Sequence, residues 1–196
     1  MQITNEFEVD QSIDAVWEFF GDIPQVAACL PGTELNEEVG PDHYAGNVAI
    51  GLGPVKLDFD GNAKITERDE AAKTISVDAE GADKKGRGQA ALLLNAGLTP
   101  AGAGTKVDVA MDLQLSGAAA QYGRGLVGDI TAVLLDDFAV NVQNRLAAIQ
   151  AGQDPDAVAS ANSASAGGLA IGLRAMRMGL TRLFRRFFLP YNPELV

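Results

Sequence analysis

Residues 117–150 read GAAAQYGRGLVGDITAVLLDDFAVNVQNRLAAIQ, the one long stretch ahead of the C-terminal tail in which apolar side chains keep a helical period without a proline. Tyr122, Leu126, Ile130, Val133, Leu134, Phe138, Val142, Leu146 and Ile149 recur at steps of three and four, which predicts a helix from Gly117 to Gln150 with one apolar side. That side must be buried. Nearly everything from Met1 to Leu115 reads as strand, so the simplest fold wraps a sheet around this helix.

The same stretch contains Gly123-Arg124-Gly125-Leu126-Val127-Gly128, which spells a dinucleotide-binding fingerprint. Such a site needs its glycines between a parallel strand and a helix, with an acid about 20 residues further on. Here that place holds Gln143, Asn144 and Arg145, and the preceding strand reads as antiparallel, so the context fails. Each glycine inside a helix costs about 1 kcal/mol, and two explanations stay open. Either Gly123, Gly125 and Gly128 leave room for a bound molecule or a close strand, or they allow simple close packing.

Working back toward the N-terminus, residues 2–9 alternate around Ile3, Phe7 and Val9 and predict a first strand. Ser12 caps a short amphipathic helix through Val16, Trp17, Phe19 and Phe20 that Gly21 ends, and Pro24 begins a second short helix closed by Leu30-Pro31-Gly32. Strands are predicted at Thr33–Val39, Tyr44–Leu52, Val55–Arg68, Thr74–Ala82, Gly86–Leu98 and Thr105–Ser116. The breaks between them are short, which favours antiparallel neighbours. Strand, two short helices, about six strands and a long helix is the order of an α+β helix-grip fold, in which a curved antiparallel sheet grips the last helix.

Particular residues narrow this further. Asp22-Ile23-Pro24-Gln25-Val26-Ala27-Ala28-Cys29-Leu30-Pro31-Gly32 closely resembles a stretch of the CoxG subunit family of carbon monoxide dehydrogenase. Gly51-Leu52-Gly53-Pro54 with Phe59-Asp60-Gly61, Gly86-Arg87-Gly88 with Ala90, and Gly117 to Gly123 resemble its later signatures in order. The resemblance covers roughly residues 1–150. It implies a START/Bet v 1-like (SRPBCC) helix-grip domain with an apolar cavity for a lipid-like molecule, often without catalysis. It also implies a partner, the molybdenum-containing aerobic carbon monoxide dehydrogenase, which such proteins are thought to bring to the membrane. Residues placed to line the cavity are Leu57, Phe59, Met111 and Leu113 on strands, and Tyr122, Gly125, Leu126, Ile130, Val133 and Leu134 on the long helix. A filled core would need the same residues, so the cavity rests on the resemblance.

Past Gln150 the composition turns to Ala, Ser, Gly, Asp and Asn. This predicts a domain over 1–151, a flexible linker over 152–168 and a separate tail helix over 169–196. In the tail, Leu169, Leu173, Met176, Leu180, Leu183, Phe184 and Phe187 fall on one helical arc, with Arg174, Arg177, Arg182, Arg185 and Arg186 on the remaining surface. Phe188 follows, and Pro190 stops the helix. The chain as a whole carries a net charge of −11, yet residues 169–196 hold five arginines against Glu194 alone. A basic amphipathic segment on an acidic body is the pattern of an interfacial anchor, and each base near anionic lipid contributes about 1 kcal/mol. An amphipathic helix docked on its own domain or on a partner is the competing explanation.

Acidity argues against a nucleic-acid binder, which needs a basic face. One cysteine, Cys29, rules out an internal disulfide or a multi-cysteine metal site, and the single histidine, His43, completes no metal set. A Cys29–His43 nucleophilic pair would need the two adjacent in the fold with an orienting acid. Neither a secretion signal nor a spanning segment is seen, so the expected place is cytoplasmic, peripheral on the inner face of the cell membrane. The expected function is a non-enzymatic adaptor that links carbon monoxide dehydrogenase to the membrane and carries a lipid, respiratory quinone first, with no covalently required cofactor. The alternatives are a recruitment factor with a solid core and a helix-grip enzyme.

Overall fold

The computed structural model describes residues 1–52, 55–121 and 124–156, so the expected tail and most of the linker lie outside the described residues. In chain order the elements are β1 (Gln2–Val9), α1 (Ile13–Gly21), α2 (Ile23–Cys29), β2 (Thr33–Gly40), β3 (His43–Leu52), β4 (Val55–Asp69), β5 (Thr74–Asp83), β6 (Gln89–Ala101), β7 (Gly104–Leu115), a 3-10 turn (Ala119–Gln121) and α3 (Arg124–Gln150). The strands form one curved seven-stranded sheet in the order β1-β7-β6-β5-β4-β3-β2, antiparallel at every pair. Because β2 to β7 follow one another through short connections, each of β3 to β7 pairs with its predecessor. Only β1, separated from β2 by α1 and α2, crosses to the far edge beside β7. This is the helix-grip arrangement expected from the order of elements.

The local chemistry explains the boundaries. Ser12 Oγ accepts the Ala15 N–H at 3.4 Å and caps α1, and Asp22 does the same for Gln25 at 3.2 Å, with Pro24 in the first turn of α2. At the other end of the chain Gly152 takes φ +66°, and the N–H groups of Gly152 and Gln153 reach back to the Ile149 and Ala148 carbonyls. This glycine stop ends α3 at Gln150.

Two expected boundaries move. The long helix begins at Arg124 rather than Gly117, because Gly117 turns at φ +64° and a 3-10 turn precedes the helix. Strand β6 runs Gln89–Ala101 rather than Gly86–Leu98: Gly86 and Gly88 have positive φ and belong to the β5–β6 loop, while Pro100 still pairs with Thr105 near the hairpin end.

The core divides in two. In the larger cluster Phe138, Val142 and Leu146 of α3 pack with Phe19 and Phe20 of α1 and with Val107, Val109 and Met111 of β7. Phe7 meets Phe138 edge to face at 5.8 Å. Each such side chain contributes roughly 1.5 to 3 kcal/mol by leaving water, so the C-terminal half of α3 is firmly held. The smaller cluster joins Leu57, Phe59 and Ala119, with Ala90 and Leu115 against them.

A line of small inward residues crosses the sheet beside the smaller cluster. Gly46 pairs with Gly61, Gly61 with Gly81, Gly81 with Ala90, and Ala90 with Leu115. A Cβ on Gly61 would lie 2.0 Å from the Glu80 carbonyl oxygen, and one on Gly46 2.6 Å from that of Glu34. The backbones approach on this side too closely for any side chain, and glycine alone permits the curvature.

Candidate ligand cavity

At about 1.5 Å per residue α3 is roughly 40 Å long, and it spans the distance between the two clusters. Ala119, just ahead of it, belongs to the smaller cluster, and Phe138 to Leu146 belong to the larger. Between these ends Val127 and Val133 are buried at 9% and 3% exposure, yet they belong to neither packed cluster. Gly125 and Gly128 would meet nothing within 4 Å if given a Cβ. Close packing therefore does not explain these two helix glycines, of which Gly125 faces solvent. On the sheet the inward positions are again small, with Ala63 paired to Ala79 next to the glycine line. A pocket of about 510 Å³ opens at that line, bounded by Gly61, Gly81, Ala90 and Leu115 together with the polar Asp60, Asn62, Glu80, Gln89 and Gln114, its lining supplied by the sheet strands and Ser116. That volume suits one small amphiphile or part of a longer one.

The expected lining residues fall into three groups. Leu57 and Phe59 are buried together, and Val133 is buried while Ile130, Leu134 and Leu113 are half-buried. Met111 is packed into the larger cluster, away from the open region. Gly125 is exposed, and Leu126, expected on the buried side, is 44% exposed, as is Ile149 at 47% beyond the far end of the core. Tyr122 lies outside the described residues, as do the tail residues Leu173 to Phe188.

The sequence reading missed the polar frame at this end of the sheet. Asp83 points inward from the last position of β5, its side chain fully buried. Its carboxylate accepts the backbone N–H groups of Asp58 (3.2 Å), Lys85 (3.0 Å) and Arg87 (3.2 Å) and the Arg87 Nε (2.8 Å) and Nη2 (2.7 Å). The Arg87 Nη2 also donates to the Lys56 carbonyl at 2.6 Å, and the Arg87 carbonyl accepts the Ala118 N–H. Gly88 and Gly117 are needed where the loop crosses the end of β7, since a Cβ on Gly117 would lie 2.3 Å from the Arg87 carbonyl. One carboxylate thus ties together the start of β4, the β5–β6 loop and the segment leading into α3. The Arg87 bond, followed by the backbone donors, holds the Asp83 carboxyl well below the usual carboxylate range, against the opposing effect of burial. The signal for this frame was an arginine between two glycines with an aspartate four residues earlier.

Cys29 is sealed at the α2–α3 seam, where its carbonyl accepts the Asn141 Nδ2 at 2.9 Å. Nearby, the buried Arg145 donates from Nε to Gln25 and from Nη2 to Asp156, the last described residue. Burial pushes the Cys29 thiol up to about 12, with Arg145 opposing weakly. His43 stands at the opposite end of β2, about 20 Å away at 3.3 Å per residue, so the two form no catalytic pair. Native protein treated with iodoacetamide at pH 8 should remain almost unlabelled by intact mass and take up one equivalent in urea. Rapid native labelling would mean an accessible thiolate. Among the described residues no group of three His, Cys, Asp or Glu side chains is placed to hold a metal, and no helix is long and apolar enough to cross a membrane.

A curved antiparallel sheet gripping a long C-terminal helix is the START/Bet v 1-like fold. The profile of the CoxG subunit family of carbon monoxide dehydrogenase matches residues 6–147, and the chain belongs to that family. The family name implies an association with carbon monoxide dehydrogenase. Among solved structures, a conserved protein from Geobacillus kaustophilus is similar at 22% identity, covering 75% of this chain and 95% of its own, with a TM-score of 0.68. A protein from Thermus thermophilus is 13% identical over 72% of this chain and 97% of its own, with a TM-score of 0.53. Ara h 8.0201 is 15% identical over 76% and 98%, with a TM-score of 0.52. At these identities the likeness is one of fold. Comparison with curated proteins gives no match.

Proposed function

We propose that this protein is a membrane-associated adaptor for carbon monoxide dehydrogenase that shelters a lipid-like molecule, respiratory quinone first, between α3 and the sheet. The observation that carries this reading is the pocket of about 510 Å³ at the glycine line of the sheet, beside the smaller core cluster. Family membership supports the enzyme as partner, and the buried Leu57 and Phe59 with Leu115 against them support an apolar guest at this end of the sheet. The five tail arginines among leucines and phenylalanines support attachment at an anionic membrane surface. Electrons from the dehydrogenase must reach an apolar acceptor, and quinone is the acceptor a respiratory membrane offers.

Two variants test separate halves of this reading. In Ala90→Leu the longer side chain extends into the pocket it lines, so copurified lipid should fall by half or more with the fold retained; unchanged occupancy would place the ligand elsewhere. Deleting residues 169–196 should move the protein from the membrane fraction to the supernatant while leaving lipid occupancy per molecule intact. Persistence in the membrane fraction would remove the tail from the account.

A further inference from the structure

Residues 1–156 hold 25 Asp and Glu against 10 Lys and Arg, yet four of those ten bases gather at one end of the sheet. Lys56 opens β4, and Lys84, Lys85 and Arg87 form the β5–β6 loop. The loop is fixed to β4 by the Arg87 bond to the Lys56 carbonyl and by the Lys84 N–H bond to the Asp58 carbonyl at 2.8 Å. The acids here are consumed locally: Asp83 by Arg87, and Asp58 and Asp60 by Lys84 at 3.4 and 3.1 Å. Lys56 and Lys85 are exposed and join no ion pair among the described residues. Of the other bases whose side chains are described, only Lys64 shares that state. Both strand ends project freely, since a Cβ on Gly51, the register partner of Lys56, or on Gly86 would meet nothing within 4 Å.

The smaller core cluster and the glycine-centred pocket lie at this same end. A rigid lysine-bearing rim beside the least filled part of the interior, on a body otherwise acidic, is complementary to a negatively charged surface. We infer that Lys56 and Lys85 form a second, tail-independent contact with anionic lipid, which turns this end of the domain toward the bilayer. The inference rests on the carrier reading only for its purpose, which is to put the cavity against the source of its ligand; the contact itself is electrostatic and separately measurable. At about 1 kcal/mol per base, losing both lysines weakens this contact about thirtyfold.

The test uses the full chain with an environment-sensitive fluorophore on Gly51→Cys or, at the opposite end of β4, on Ala71→Cys; Cys29 is buried and stays unlabelled. Each is mixed with phosphatidylcholine vesicles holding 30% phosphatidylglycerol and a lipid-borne quencher. The Gly51 label should be quenched at least fivefold more strongly than the Ala71 label. Lys56→Gln with Lys85→Gln should abolish that difference while sedimentation with vesicles, held by the tail, falls less than twofold. Equal quenching at the two positions, quenching unaffected by the lysine changes, or no vesicle binding by the parent protein would each overturn the inference. Lipid analysis of the same preparation reports carriage independently, so an empty cavity with an intact quenching difference would refute the carrier and leave the rim contact standing.

Discussion

Replacing Gly61 by valine is expected to lower the melting temperature by about 10 °C. The added Cβ would fall 2.0 Å from the Glu80 carbonyl oxygen and 2.7 Å from the Gly81 Cα, both backbone atoms that no rotamer change can move. Overpacking costs about 1 to 3 kcal/mol where side chains can yield, and here the strand itself must shift, so the upper end applies. At roughly 2 to 4 °C per kcal/mol for a chain of this size, that gives the stated fall. Gly128→Ala is the matched control: nothing lies within 4 Å of its Cβ, and removing a glycine from the body of α3 should stabilise the fold by about 1 kcal/mol. Circular dichroism melts of the two variants should move in opposite directions. If Gly61→Val melts with the parent protein, the sheet does not close up along the glycine line.

The second large effect belongs to Asp83. Alanine there leaves three backbone N–H groups and the Arg87 guanidinium without their shared acceptor in a buried place, a loss expected to match that of Gly61→Val. The effect also depends on pH. Because the folded protein holds this carboxyl below its unfolded value, its contribution is complete above the unfolded pKa near 4 and is lost as pH falls toward the lower folded value. Asp83→Asn keeps the shape but not the charge, so it should be less stable than the parent at pH 7. The gap in melting temperature should narrow steadily from pH 5 to pH 2. A gap that stays constant over that range would mean that ionisation of Asp83 does not hold the frame.

Much of this architecture was legible because it rests on local periodicity. The 3.6-residue repeat of Phe138, Val142 and Leu146 placed them against the core. The alternation on β7 put Val107, Val109 and Met111 inward, and antiparallel pairing removed the dinucleotide site. Periodicity could not say where the buried side stops being covered, which is why Leu126 and Ile149 were assigned inward at the two ends of a helix longer than its packed part. The glycine line escaped notice because Gly46, Gly61 and Gly81 are far apart in sequence and become one feature only through register. Asp83 escaped because a lone carboxylate before a lysine pair reads as solvated until its five donors are seen. The cavity was inferred from resemblance rather than from pattern, and the pocket on the sheet lies at the glycine line that only register creates.

The most direct test of carriage is the cargo itself. Full-length protein purified from its native membranes, washed free of loose lipid, extracted with organic solvent and analysed by mass spectrometry should yield close to one quinone or other apolar lipid per chain. Protein that emerges empty and takes up no added quinone would contradict the carrier account and leave only recruitment of the dehydrogenase.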